Sequence, residues 1–190
     1  MDSITALRRT VAVVDDLLAK TTDEQLAAPT PCEGWAVRDL LNHITGGAEM
    51  FAISAEQGSI SDADLGRLMG GDVLGDDWRG AWSTASKRAV AAFGDPALLE
   101  KDVTLPFGTM PAGAALDIAV FDVATHAADL AQATGQTIAD DELLENALEM
   151  GRRIVPQEWR GTPSFAHEVP CADDAPAAQR LLAFAGRSIA

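Results

Sequence analysis

The sequence predicts an all-α fold, a four-helix bundle with one long crossover connection and a short helical tail. Its composition is rich in apolar residues and poor in aromatic ones, with 47% hydrophobic residues, 5% aromatic residues and no tyrosine. Apolar side chains recur at alternating spacings of three and four in several segments, which is typical of helices that face a core. A chain of 190 residues is long enough for one domain with a sizeable core.

The apolar periodicity and the Gly/Pro breaks between periodic segments predict the elements in chain order. Residues 58–75 are rich in Gly and Asp and are expected to be irregular, and residues 101–111 are expected to form a small hairpin or an extended loop before the fourth helix. We predict a bundle over residues 1–156 and a tail over residues 157–190 that packs on it. Helices are expected over 2–20, within 30–58, and over 77–93, 111–134, 140–154 and 177–187.

The fourth predicted helix carries the residues around which the chain is organised. Asp122 and His126 are four residues apart, so their side chains lie on the same helical face. Apolar residues flank this face on both sides, and an unpaired buried polar group costs roughly 1–3 kcal/mol. Both side chains therefore need partners, and a divalent metal is one partner that satisfies them. A simple hydrogen-bonded pair is the competing interpretation.

The second predicted helix contributes a further candidate, His43, whose own face is partly apolar. Gly46 and Gly47 follow it in the helix interior, where each costs about 1 kcal/mol relative to alanine. We therefore expect another helix or a ligand to approach closely beside His43. The competing interpretation is a core or boundary histidine with ordinary hydrogen bonds.

Three protein ligands and one open position are typical of a catalytic zinc site. His43, Asp122 and His126 supply this number and these ligand types, and facing helices of a bundle are a known place for such sites. Zinc is the first expectation, and nickel, iron and manganese suit the same ligands. Asp39 and Asp129 are candidates to hold the histidine rings by hydrogen bonds, and Asp39 could also replace Asp122 as a ligand. An ordinary solvated carboxylate is the alternative for Asp129.

The charge and the cysteines limit the partners and the compartment. A formal net charge of −15 argues against nucleic acid and against anionic membranes as partners. Charges occur throughout the first twenty residues, which predicts neither a signal peptide nor a membrane span. Cys32 and Cys171 lack paired spacing and are interpreted as reduced thiols of a cytoplasmic protein. Cys32 precedes a helix whose dipole could lower its pKa, although a structural thiol is favoured. His167 is expected at the surface.

Two motifs carry a resemblance to a known family. The stretch TPCEGWAVRDLLNHITGG resembles the second-helix segment of DinB-like metal-binding bundles, in the branch related to mycothiol-dependent maleylpyruvate isomerase. The stretch FDVATHAADLAQATGQ is similar to the second metal motif of that branch, and LPFGTMPAGAALDIA and LLAFAGR also fit. The resemblance implies a DinB-type four-helix bundle with a His, acid, His metal triad, which maps onto His43, Asp122 and His126.

The sequence also departs from the pattern of that branch. Many relatives have a tryptophan just before the Asp of the second motif, where this chain has Ala128, which leaves that corner of the pocket smaller. Asp122 is shorter than the Glu of the isomerase itself. The isomerase has an additional C-terminal domain, whereas this chain ends shortly after the bundle, so isomerase activity is not carried over.

The expected function is that of a metal-dependent thiol transferase or isomerase. A divalent cation would activate a low-molecular-weight thiol such as mycothiol, which would then attack an electrophilic small-molecule substrate. A non-catalytic metal-binding or sensing module is one alternative, and a bundle without metal is another. A metal-assisted hydrolase is a further alternative, for which only Asp39 and Asp129 offer a general base. An exposed bundle face could pair two copies into a homodimer.

Overall fold

The computed structural model describes residues 1–162 and 165–189, which form seven α-helices and one two-stranded hairpin. Every helix except the third lies where the apolar periodicity predicts one. The helices are α1 (Ser3–Lys20), α2 (Val37–Gln57), α3 (Asp62–Gly70), α4 (Trp78–Ala92), α5 (Ala112–Thr134), α6 (Asp141–Ile154) and α7 (Ala177–Phe184), and the strands are β1 (Asp102–Leu105) and β2 (Gly108–Pro111).

The long helices α1, α2, α4 and α5 form the bundle, and α5 lies at its centre. α2 packs against α4 and α5, while α1 packs against α5. Leu116, Val120 and Leu130 on α5 are fully buried, as the apolar stripe of that helix predicts. The packing of α2 on α5 brings two segments of distant sequence together along one seam, which is where the candidate ligands lie.

The predicted hairpin before α5 is present. β1 and β2 pair antiparallel, with Val103 opposite Met110 and Leu105 opposite Gly108. Val103 and Leu105 point into the core while Asp102 and Thr104 are exposed, which is the period-two alternation of a strand with one buried face. The hairpin leads directly into the first turn of α5.

The prediction that residues 58–75 are irregular is wrong for their centre, where α3 forms. Ser61 caps this helix by accepting a hydrogen bond from the backbone N–H of Asp64. Leu68 is the buried residue of α3, and its carbonyl oxygen would lie 2.6 Å from a Cβ placed on Gly46. A tertiary contact with α2 therefore holds a helix whose glycine-rich sequence predicts none. This contact also supplies the close helix approach expected beside His43.

The segment after α6 returns to the bundle through α7, which packs against α5 and α6. Leu181 and Phe184 on α7 belong to the same buried cluster as Leu116 and Phe121 on α5. Arg160 lies over the ring of Phe184 and donates to its carbonyl oxygen at 2.6 Å. Within the described residues, none of the helices combines the length and apolar character that a membrane span requires.

Candidate metal centre

The site is organised around His126, a buried histidine of α5 whose two ring nitrogens face different neighbours. Its Nε2 lies 3.6 Å from Oδ1 of Asp122, one turn earlier on the helix. Its Nδ1 lies 2.9 Å from Oδ2 of Asp129, one turn later. The helical spacing of these three residues places the two carboxylates on opposite edges of one imidazole ring.

Asp122, the first of these neighbours, belongs to a group of side chains that is open to solvent. His43 on α2 places its Nε2 3.4 Å from Oδ1 of Asp122. The rings of His43 and His126 are 4.8 Å apart and nearly perpendicular. One ligand atom from each of the three residues lies within 4.8 Å of the others, close enough for a single cation. The sequence-predicted triad therefore converges, because α2 and α5 pack along one seam.

Asp129, the second neighbour of His126, belongs to a buried group of side chains that the sequence did not predict as a unit. Cys32, in the loop before α2, places its Sγ 3.1 Å from Oδ2 of Asp129 and 3.8 Å from Nδ1 of His126. These three side chains could also hold a metal ion by type and distance. The side chain of Asp129 is completely buried, so the alternative of a solvated carboxylate is wrong.

The two groups differ in their access to solvent, which decides what each can do. The side chains of His43 and Asp122 are each 32% exposed, whereas that of Asp129 is 0% exposed. A cleft of about 400 Å³ opens beside His43. A catalytic metal needs an open position for water or substrate, and a buried ligand set does not provide one. The other lining residues of the cleft are Gly34, Trp35, Asp39, Asn42, Leu68 and Met69.

Trp35 forms one wall of this centre and was not predicted from the sequence. Its indole lies 5.0 Å from the ring of His43 and stacks on the ring of His126 at 5.8 Å, with an interplanar angle of 22°. The loop that carries it is held by the backbone and side chain of Thr30, both of which bond to the carbonyl oxygen of Trp35. The Gly-Trp pair just before the second helix was the only available sequence signal.

The charges at the centre are mutually stabilising. Burial raises the pKa of Asp122, but His43, His126 and Arg187 lower it more, and the net pKa is about 2. Burial lowers the pKa of His43, but Asp122 raises it more, so the net pKa lies above its ordinary value of 6.5. Asp122 is therefore an ionised carboxylate at neutral pH, the form in which it can ligate a cation.

The pKa of the Cys32 thiol is raised, whereas a helix dipole would lower it. Burial and the nearby carboxylate of Asp129 raise the pKa of Cys32 to about 12. Helix α2 begins only at Val37, so the thiol lies outside its first turn. Both cysteines are free, as predicted. Cys32 is a neutral thiol that donates a hydrogen bond to Asp129.

The remaining predicted residues take different places. Asp39 is exposed and accepts a hydrogen bond at 2.9 Å from the backbone N–H of Ala36, which caps the start of α2. In the described part of the chain, no hydrogen bond joins Asp39 to His43. Asp129 does hold a histidine ring, that of His126. His167 is exposed, as predicted. Arg187, which the sequence did not single out, places its Nε 3.4 Å from Oδ1 of Asp129.

Known proteins resemble this chain in sequence and in fold. An uncharacterized protein of Mycobacterium tuberculosis, found in strains CDC 1551/Oshkosh and H37Rv, is 34% identical over 191 residues, which cover 100% of both chains. The crystal structure of a mycothiol-dependent maleylpyruvate isomerase superposes with a TM-score of 0.67 at 19% identity, covering 83% of this chain and 69% of the isomerase.

A histidine-to-alanine variant of the isomerase gives a TM-score of 0.68 at 19% identity, with 87% of this chain and 72% of the variant covered. These structural matches establish the fold. The sequence model of the mycothiol maleylpyruvate isomerase N-terminal domain matches residues 7–131, which include all three residues of the solvent-open triad. The chain belongs to the mycothiol maleylpyruvate isomerase N-terminal domain family.

Proposed function

We propose that this protein is a metal-dependent enzyme that activates a low-molecular-weight thiol for transfer to, or isomerisation of, an electrophilic substrate. His43, Asp122 and His126 would hold a divalent cation, with zinc as the first choice. The observation that carries this proposal is the convergence of two imidazoles and one ionised carboxylate at the edge of a solvent-open cleft. This ligand set matches that of catalytic zinc sites with one open position.

The donor atoms fit a cation without a change of fold. Asp122 Oδ1 already lies between the Nε2 atoms of His43 and His126, at 3.4 and 3.6 Å. A divalent cation bound there would supply the Lewis acidity that converts a thiol into a thiolate at neutral pH. The family description names mycothiol, so we propose a thiol of that type as the second cofactor.

The residues of the chain would position the reactants. Trp35 contacts both imidazole rings and would limit the directions in which a substrate can approach the cation. Leu68 and Met69 of α3 also line the cleft, and an apolar part of the substrate would bind against them. The thiol would give up its proton to water, one C–S bond would form as the substrate π bond breaks, and the electron pair displaced toward the electron-withdrawing group would take up a proton from water. The reaction therefore needs no oxidant.

Elemental analysis of purified variants tests which group holds the metal. We expect about one equivalent of metal in the wild type and in Cys32→Ala, and its loss in His43→Ala and Asp122→Asn, because only the open group uses His43. Metal retained in His43→Ala but lost in Cys32→Ala would place it in the buried group instead and contradict the proposal.

Activity is tested separately on zinc-loaded protein, with a low-molecular-weight thiol and a panel of electrophiles. We expect thiol consumption in the wild type at a rate that falls by at least about a hundredfold in His43→Ala, because a lost metal ligand removes the thiolate at neutral pH. If zinc binds stoichiometrically but the wild type is no faster than His43→Ala, the chain is a metal-binding module without this chemistry.

A further inference from the structure

The segment after α7 places the side chain of Arg187 at the metal centre, next to Asp129. Helix α7 ends at Phe184, and Gly186 then adopts φ = 77°, a left-handed conformation that closes the helix. The backbone N–H of Arg187 donates to the carbonyl oxygen of Leu182 at 2.9 Å, which holds this turn. A Cβ on Gly186 would lie 2.6 Å from the Cβ of Ala166. The turn therefore aims Arg187 in a defined direction.

Arg187 is the cationic partner of the buried carboxylate behind His126. Its Nε lies 3.4 Å from Oδ1 and 3.5 Å from Oδ2 of Asp129. Oδ1 accepts no hydrogen bond from any described residue, while Oδ2 accepts from His126, from Cys32 and from Nε of Arg187. A fully buried carboxylate without a counter-charge is strongly unfavourable. The charge of Arg187 therefore compensates the burial of Asp129.

The orientation of the Asp129 carboxylate determines which ring nitrogen of His126 is free to ligate a metal. Because a carboxylate only accepts hydrogen bonds, the 2.9 Å contact between Oδ2 and Nδ1 favours the tautomer of His126 that carries its proton on Nδ1. The lone pair is then on Nε2, the nitrogen that faces Asp122 and His43. The hydrogen bond made by one ring nitrogen decides which nitrogen is free to ligate a metal.

We propose that Arg187 is a positioning residue for the metal centre: it orients the carboxylate of Asp129, which fixes the tautomer and ring orientation of His126. This inference deepens the proposed function, and only its metal-affinity readout rests on that function. It assigns a role to a residue outside the span 7–131 that the family model matches. The bundle alone does not complete the site.

A merely structural role for Arg187, in which it only docks the tail, must be distinguished from this one. Arg180 on α7 offers a matched control, because it donates through Nε to the carbonyl oxygen of Ala175 at 2.9 Å and pairs with Glu145. These contacts hold the same helix but do not involve Asp129. We therefore expect replacement of Arg180 to perturb tail docking and to leave the pair between Arg187 and Asp129 intact.

The experiment compares Arg187→Met, Arg187→Lys and Arg180→Met with the wild type. Nitrogen-15 NMR of the histidine rings in the metal-free protein reports the tautomer of His126, and competition with a chelator reports zinc affinity. We expect Arg187→Met to show mixed tautomers and a zinc dissociation constant raised by about 10- to 100-fold. Arg187→Lys should show a smaller change in both, since it keeps the charge but loses the planar guanidinium. Arg180→Met should match the wild type.

The wild-type tautomer in a folded Arg187→Met variant would overturn the inference, and so would equal changes in Arg180→Met. If Arg187→Met does not fold, Arg187→Gln replaces it and is judged by the same tautomer readout. If the wild type binds no zinc, the proposed function fails. The NMR comparison on metal-free protein then still decides whether Arg187 positions His126.

Discussion

At the scale of single residues, His126 presents its two ring nitrogens to two different groups of side chains. Nε2 faces the solvent-open group, and Nδ1 is occupied by a buried carboxylate. A second cation on the Nδ1 side would have to displace the ring proton and approach the positive charge of Arg187. Both groups have the ligand types for a metal, and we expect the buried group of Cys32, His126 and Asp129 to hold the ring of His126 while the open group holds the cation.

The affinity for zinc is expected to rise with pH through the titration of His43. Its pKa lies above 6.5 because Asp122 outweighs the effect of burial. A protonated imidazole cannot ligate a metal, so binding releases a proton. Below that pKa the affinity should fall about tenfold per pH unit, and above it the affinity should be constant. Chelator competition between about pH 5.5 and about pH 8.5 would measure this dependence.

The raised pKa of His43 also predicts how the stability of the metal-free protein depends on pH. A raised folded-state pKa stabilises the fold below pH 6.5, and this contribution disappears as the pH rises through the folded-state pKa. Asp122→Asn should lower the pKa of His43, because the carboxylate that raises it is removed. An NMR titration of His43 that shows the same pKa in both proteins would contradict this explanation.

At the scale of elements, two neighbouring glycines of α2 have opposite expected effects. A Cβ on Gly46 would lie 2.6 Å from the carbonyl oxygen of Leu68, whereas a Cβ on Gly47 would meet only Oδ2 of Asp122, at 4.0 Å. Gly46→Ala should therefore push α3 away and destabilise the fold by about 1–3 kcal/mol. Gly47→Ala should be neutral or stabilise it by up to about 1 kcal/mol, since alanine favours a helix.

Urea unfolding of the two variants against the wild type measures these changes in the free energy of unfolding. Gly47→Ala serves as the matched control, because it adds the same methyl group one residue away. Equal stability of the two variants would show that α3 does not depend on its close contact with α2. A loss confined to Gly46→Ala would support the explanation given for this helix.

Helix α3 forms where the sequence predicts an irregular segment, and the reason lies in how few of its residues are buried. In the long helices the spacing of apolar residues is a property of the local sequence, so it can be detected without knowledge of the tertiary contacts. Their prediction was confirmed. In α3 only Leu68 is buried, so the segment has almost no periodic pattern to detect. Its helix depends on the Ser61 cap and on packing against the bare backbone at Gly46. That packing is a tertiary contact, which single-sequence reasoning does not contain.

At the scale of the whole molecule, the C-terminal tail is expected to be necessary for the stability of the bundle. Leu181 and Leu182 are 0% and 2% exposed, and Phe184 packs against Phe121 of α5. Burial of each such side chain contributes about 1.5–3 kcal/mol, and a whole domain is stable by only about 5–15 kcal/mol. Deletion of residues 157–190 should therefore abolish the cooperative thermal transition.

Thermal unfolding followed by circular dichroism tests this expectation. The exposed substitution Asp173→Ala, in the loop before α7, should leave the melting temperature within about 1–2 °C of the wild type. A truncated chain that melts cooperatively at the wild-type temperature would show that the bundle folds without its tail. It would also leave Asp129 without the charge of Arg187 in a folded protein.

The sequence by itself determined the helical bundle, the hairpin, and the placement of Asp122 and His126 on one face of α5. These features follow from the spacing of residues within a segment, because backbone geometry repeats locally. Only the tertiary structure decided that Cys32, Trp35 and Arg187 join them, across sequence separations of 94 residues for Cys32 and His126 and 58 for Arg187 and Asp129. Contacts at such distances depend on how the helices pack, and no local pattern records that.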